Sequence, residues 1–461
     1  MALGRGEGPA PLVAERSLDS LVMPASDGAA LPPRPDLSRF MMTTGFVLMP
    51  TRFLDACSER CGEYFTLRPP GDRVLVVTSD PQAIKQVFTG DPNLLHAGEG
   101  NIPLAPILGE RSVLLLDRDE HLRHRRMLLP PFHGERMLGH AGTMREVSER
   151  HVARWPRGRR FAVLPSMQAM TLEIIMRVVF GVEDQHRIDA ISKPLRSLLD
   201  VVASRHRVLL LALTSGRNGP LSPWRRFLAA RREADVLLYA EIAARRADPR
   251  HGERGDILSL LLDARDEHGQ PLSDRELRDE LMTLLVAGHE TTATALAWTL
   301  ERVTRELQVL DRLRREPAGE YLDAVIKETL RLRPVVPAVA RRLKEPMTFG
   351  SWELPAGVHI APSIYLLHRR ADLYPDPLRF DPERFLGDAS PGTYEWIPFG
   401  GGVRRCLGAS FALQEMKLVL ESVLRGAPPI PRTASARDES TTRRAITFAP
   451  TRGARIAVAG G

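Results

Sequence analysis

Cys406 lies in the string Phe399-Gly400-Gly401-Gly402-Val403-Arg404-Arg405-Cys406-Leu407-Gly408, ahead of an apolar-periodic segment from Ala409 to Leu424. The chemistry on offer is that of a thiolate, since a helix N-terminus and neighbouring cations both favour the ionised form. Consecutive glycines permit backbone conformations that side chains forbid, and let the loop pass close to something flat or bulky. A second such string is Ala287-Gly288-His289-Glu290-Thr291-Thr292. It is a poor choice for helix stability: Gly costs about 1 kcal/mol against Ala, and adjacent threonines add β-branching. Leu284, Ala287, Gly288, Thr291 and Ala295 share one stripe at helical spacing, and their small size leaves room for a partner. Thr291 can return its hydroxyl to the Ala287 carbonyl and distort the helix. Local rules broken mid-helix point to a functional site, although a glycine that admits another helix is the competing explanation. Two charge pairs complete the set. His121 and Arg125 are four apart and share a helix face, as a cationic site or a solvated one; Glu328 and Arg331 are three apart and also neighbours.

In combination these strings resemble the cytochrome P450 family. The cysteine loop fills every fixed position of that family's Phe-Gly-x-Gly-x-Arg-x-Cys-x-Gly pattern. Ala287 to Thr291 is similar to its Ala/Gly-Gly-x-Asp/Glu-Thr motif, with Glu where many members have Asp. Glu328-x-x-Arg331, and Arg384 within Pro382-Glu383-Arg384-Phe385, resemble its remaining signatures, and all occur in the family's order. The resemblance implies haem b (iron protoporphyrin IX) with Cys406 as the proximal iron ligand, buried beneath the cofactor. His121, Arg125, Arg404 and Arg341, with Arg342 as the alternative to the last, would meet the haem propionates. Phe399, Ala287, Gly288 and Gly408 would lie along the cofactor. Glu290 would deliver protons and Thr291 would act at the oxygen site, while His289 would face away. Glu328, Arg331 and Arg384 would lock the loop and perform no chemistry.

Helices and strands must position these residues. Residues 39–60 read as an amphipathic entry helix. Tyr64–Leu67 and Arg73–Thr78 read as a hairpin about the Pro69-Pro70-Gly71-Asp72 turn. Asp80-Pro81 opens a short helix, and 92–110 reads as loop. Residues 145–266 are helical in pattern, broken at Thr214–Pro220; this turn is either ordinary core or a mobile lid over a pocket. Ser273 with Glu276 is a capping box, and the helix it starts runs to about Arg305, near 50 Å. The fold class expected is mainly α with a minor β region, the P450 fold. Residues 1–38 would form a flexible leader and 39–461 a single domain.

The chain has 461 residues, 43% of them hydrophobic, which suffices for a large core. A balance of 64 Lys+Arg against 57 Asp+Glu gives +7. The arginines are spread through helical segments, which disfavours nucleic acid and favours an acidic protein partner. Cys57, Cys61 and Cys406 cannot form a fully paired set, which suits a reducing, cytoplasmic setting. No run reaches the roughly 18 apolar residues of a membrane span. The resemblance implies a monomeric monooxygenase acting on a hydrophobic small molecule. Electrons from NAD(P)H would come through separate partners, a ferredoxin-type donor and its reductase, docked near Arg123, Arg126 and Arg405. A peroxide-driven peroxygenase and a non-catalytic haem-thiolate sensor are the alternatives.

Overall fold

The computed structural model describes residues 31–69, 73–132, 134–182, 184–203, 223–387, 390–432 and 438–459. The Thr214–Pro220 break and most of the Pro69–Asp72 turn lie outside the described residues.

The centre of the molecule is the helix Asp274–Val303. Its Ser273 side chain accepts from the Glu276 N–H while the Glu276 carboxylate accepts from the Ser273 N–H, so the capping box forms as its sequence predicts. Its 30 residues span about 45 Å. Most of its length is buried on all sides, as the run Leu277–Leu285 and everything from Thr292 onward demand. The helices Leu164–Phe180, Glu320–Leu332 and Ala409–Gly426 pack on it. The second of these owes its buried stripe to Leu322, Val325, Ile326 and Leu330.

The β region is small. The largest sheet has the spatial order Tyr64–Leu67, Leu75–Thr78, His359–Pro362, Arg341–Leu343, Leu95–His96. The first pair is antiparallel with Tyr64 opposite Thr78, and the next is parallel with Leu75 opposite His359. Arg341 pairs with Ile360, which fixes where that arginine leaves the sheet. A separate hairpin joins Thr441–Arg444 to Thr447–Pro450.

Two elements differ from their sequence-based expectation. The entry helix is two helices, Arg39–Leu48 and Pro50–Cys61. Pro50 can begin a helix but cannot continue one, because it lacks an N–H and clashes with the preceding turn. The stretch 92–110 carries local structure: the strand Leu95–His96, a 3₁₀ segment Glu99–Leu104 and a helical turn Ala105–Leu108. Of the leader, Pro32 and Pro33 offer their carbonyls to Thr66, so 31–38 lies along the sheet edge.

Candidate active site

The cysteine loop is held from behind by a buried ion pair. Glu328 and Arg331 are fully buried, with contacts of 2.6 and 2.8 Å between guanidinium and carboxylate. The remaining Arg331 donors reach the carbonyls of His368, Pro377 and Arg379. Glu328 also accepts from the Asp381 N–H, and Arg384 approaches it at 3.7 Å, closing the network at longer range. Burial pushes the Glu328 carboxyl up, against the pull of Arg331. From His368 the brace continues: its Nε2 accepts from the Ile397 N–H, and Trp396 donates to the Lys327 carbonyl. Phe399 follows directly and meets Trp396 edge-on at 6.1 Å.

Within the loop the glycines serve separate ends. Gly402 has φ +62, and a Cβ there would sit 1.8 Å from the Phe88 carbonyl oxygen; one on Gly401 would strike the Phe88 ring. The close approach expected of this run is therefore to the chain's own helix Pro81–Thr89. Gly400 and Gly408 have nothing within 4 Å of an added Cβ and border open space. The Cys406 N–H donates to the Phe399 carbonyl at 2.9 Å. The sequence-based expectation has Cys406 buried beneath a cofactor; the residue is exposed in the chain itself, although protein atoms crowd the sulfur on its other sides. The protein massed around the sulfur pushes the thiol up; the Gly408 N–H, Arg125 and Arg405 pull the other way.

Around one edge of this space stand His121, Arg125, Arg341 and Arg404. His121 is 2% exposed, and burial with the three arginines drives its pKa down to about 3. Arg341 is 6% exposed and, among the described residues, its side chain donates only to the Ala340 carbonyl; burial lowers it to about 10. Its neighbour in sequence, Arg342, turns instead to Glu99 at 2.6 Å, which separates the two alternatives. Arg125 donates to the Arg405 carbonyl. Arg404 donates to the carbonyls of Val113 and Leu116 and to Asp117, at 2.6 Å in the last case. Asp117 is thus the carboxylate set against this group of cations, and it is engaged with Arg404. Buried cations short of counter-charge are costly, and a doubly anionic porphyrin edge fits the deficit.

Across the site, the central helix turns Ala287 to the open space, exposed in the middle of a helix that is otherwise largely buried. Thr291 donates its hydroxyl to the Ala287 carbonyl at 2.6 Å. Gly288 departs from the expected stripe. An added Cβ there would meet Ile175 at 3.3 Å, so this glycine admits the neighbouring helix Leu164–Phe180. One residue is about 100° of helix, enough to part it from Ala287. His289 is buried and hydrogen-bonds the Leu285 carbonyl, facing away from the open side as expected.

A family model described as Cytochrome P450 matches residues 32–426. The chain belongs to the cytochrome P450 family. Cytochrome P450 135B1 of Mycobacterium tuberculosis is 46% identical over 446 residues, covering 95% of this chain and 93% of that protein. Cytochrome P450 138 of Mycobacterium bovis is 39% identical over 440 residues, covering 94% and 97%. Among solved structures, retinoic acid-bound cyanobacterial CYP120A1 has a TM-score of 0.80 at 25% identity, covering 94% of this chain and 99% of that one. The activity class of the family is haem-thiolate monooxygenation, and no helix among the described residues is long and apolar enough to cross a membrane.

For a P450, the acid of the oxygen motif has unexpected company. Glu290 Oε2 accepts from Gln168 at 2.7 Å, and Oε1 from Arg444 at 3.2 Å. Neither partner carries a motif signal; Arg444 ends a strand more than a hundred residues downstream, and only the fold brings it there. Sequence reasoning also missed Asp117, whose side chain accepts from the N–H groups of Gly98 and Glu99 while holding Arg404. Two of the three expected docking charges have partners within the chain. Arg123 is spent on Asp266 at 2.6 Å and on Glu276 at 2.8 Å, and Arg126 pairs with Glu267 at 2.9 Å. Arg405 is exposed, and no ion pair holds it among the described residues.

Proposed function

We propose that this P450 inserts one oxygen atom of O2 into a hydrophobic small molecule, with electrons delivered from NAD(P)H by a ferredoxin-type donor and its reductase. The observation that carries this reading is the gathering of Arg125, Arg341 and Arg404 about the buried His121, with Cys406 close to Arg125 and Ala287 left exposed in the middle of the central helix. Haem bound through the Cys406 thiolate supplies oxygen reduction and O–O bond cleavage.

The chain's own residues do the rest. Arg125, Arg405 and the Gly408 N–H offset the burial that resists ionisation of Cys406, favouring the thiolate, the form in which Cys406 would hold the haem iron. Arg125, Arg341 and Arg404 would bind the propionates as charge-assisted donors, and His121, kept neutral by burial and by these arginines, as an uncharged N–H donor. Thr291 Oγ1 holds the hydroxyl at the oxygen site. Glu290 carries the proton on its carboxylate, and Gln168 and Arg444 set where that carboxylate rests. Arg405 is the open cation offered to an acidic donor protein.

Two measurements test the reading. A reduced carbon-monoxide spectrum reports the thiolate ligand directly. With a substrate found by haem spectral shift, Thr291→Ala should consume NAD(P)H while releasing peroxide in place of product. Equal product yield in that variant refutes the assigned role. Fast turnover with peroxide, and none with any reductase chain, refutes the electron route.

A further inference from the structure

The His124 imidazole lies inside the protein, on the helix Arg118–Leu128 that also carries His121 and Arg125. Its Nδ1 is 2.7 Å from Glu280 Oε1, and its Nε2 is 3.1 Å from Glu276 Oε1. Both carboxylates belong to the central helix, four residues apart. Glu280 is fully buried; its Oε1 also accepts from the Val113 N–H at 2.8 Å, while Oε2 has no hydrogen-bond partner among the described residues. Glu276 is held from outside by Ser273 and Arg123.

Proton counting constrains this arrangement. A neutral imidazole has one N–H, and its other nitrogen is a lone pair that cannot bond a carboxylate. Arg123 Nη1 also lies 3.4 Å from Nε2 while bonded to Glu276 at 2.8 Å. For both carboxylate contacts to be hydrogen bonds, two protons are needed: an imidazolium between two carboxylates, or a neutral ring between one carboxylate and one carboxylic acid. Loss of one sets lone pair against lone pair, and at Nε2 the long, shared Arg123 contact is what remains.

We propose that His124, Glu276 and Glu280 form a two-proton latch fastening the propionate-binding helix to the central helix, and that its proton occupancy sets how firmly the chain holds haem. The inference rests on the haem reading above. The latch matters there because it sets the pose of His121 and Arg125 against the helix that forms the opposite wall. His124 is a positioning residue: it acts through its helix neighbours.

The charged groups facing the latch are His121 and Arg123 from its own helix and Asp279 from the central helix, with Asp266 beyond Arg123. Asp279 is occupied by Arg278 and by the Arg111 N–H, and Arg278 continues to Asp235. Arginines keep their charge throughout, and the member whose titration falls in the range tested is Glu280. Burial pushes Glu280 up to about 7. The folded chain thus keeps a proton that the unfolded chain has released, and the stability from this source falls as pH rises through about 7. The latch is closed at pH 6 and loosened at pH 8.

The experiment follows transfer of haem from the holoprotein to excess apomyoglobin at both pH values. The wild type should release haem about tenfold faster at pH 8, the scale of one lost buried hydrogen bond to a charged group. Glu280→Gln can still bond His124 but cannot titrate, so it should keep the slow rate at both pH values. His124→Phe fills the volume without bonds and should release haem about tenfold faster at pH 6, with no dependence on pH. A full pH slope in Glu280→Gln, or a wild-type rate at pH 6 in His124→Phe, overturns the latch. Should His124→Phe fail to fold, Glu280→Gln decides alone. Urea unfolding of the haem-free chain supplies a second readout, because the latch needs no cofactor: its dependence on pH between 6 and 8 should shrink in Glu280→Gln. A chain that never shows the thiolate carbon-monoxide band refutes the haem reading, and haem-free unfolding still judges the latch.

Discussion

Replacing Arg341 with leucine should move the haem-free and haem-bound proteins in opposite directions. The guanidinium is 6% exposed, bonds one backbone carbonyl and faces Arg404, while Asp117 is engaged elsewhere. Burial, with Arg404 nearby, lowers its pKa from the ordinary arginine value to about 10. At about 1.4 kcal/mol per unit this amounts to roughly 3 kcal/mol against the folded state. The sign is fixed: a base with a lowered folded pKa carries its full cost at every pH below that value, so the cost is present at pH 7. Leucine removes it and fills part of the volume, and exchanging a buried charge for an apolar side chain stabilises by about 1–4 kcal/mol. Haem-free Arg341→Leu should therefore unfold at higher urea than the wild type. The holoprotein loses a charge-assisted bond to a propionate, about 1.5–3 kcal/mol, so haem transfer to apomyoglobin should quicken about 10- to 100-fold. A haem-free variant weaker than the wild type, or unchanged haem release, would refute the claim that this cation is held in deficit for a carboxylate.

Glu328→Gln should cost about 3 kcal/mol in urea unfolding, because it strands the Arg331 charge in a site with no exposure; a loss under 1 kcal/mol would show that the carbonyls of His368, Pro377 and Arg379 suffice. Arg444→Leu should change stability by less than about 1 kcal/mol, since its pair with Glu290 is partly exposed. It should instead shift the pH profile and solvent isotope effect of turnover, and an unaltered profile would remove Arg444 from the proton path. Arg405→Glu should slow reduction by the donor protein and weaken its salt dependence. Arg123→Glu should chiefly lower thermal stability, because that guanidinium is already bound to Asp266 and Glu276; the reverse ranking of the two would restore Arg123 to the docking face.

What was legible in the sequence was whatever is encoded by residues close in the chain. The capping box at Ser273 and Glu276, the Thr291 hydroxyl returned to Ala287, and the Glu328–Arg331 pair are separations of three or four on one helix, and each took the form its spacing implies. Pro50 shows the limit even there: amphipathic periodicity runs across it, but the missing N–H divides the helix. The sequence suggests a cofactor beside Gly288 and something flat or bulky beside the glycine run, yet the atoms that Gly288 and Gly402 admit are Ile175 and the Phe88 carbonyl. A glycine reports that space is needed, and tertiary structure decides what fills it. The same holds for charge. Arg123, His124 and Arg125 are consecutive, but their partners are Asp266 and Glu276, Glu280 and Glu276, and the Arg405 carbonyl. A basic string of this kind thus divides its contacts: Arg123 and His124 fasten their own helix to the central one, while Arg125 stays with the cysteine loop, where the proposed cofactor would meet it.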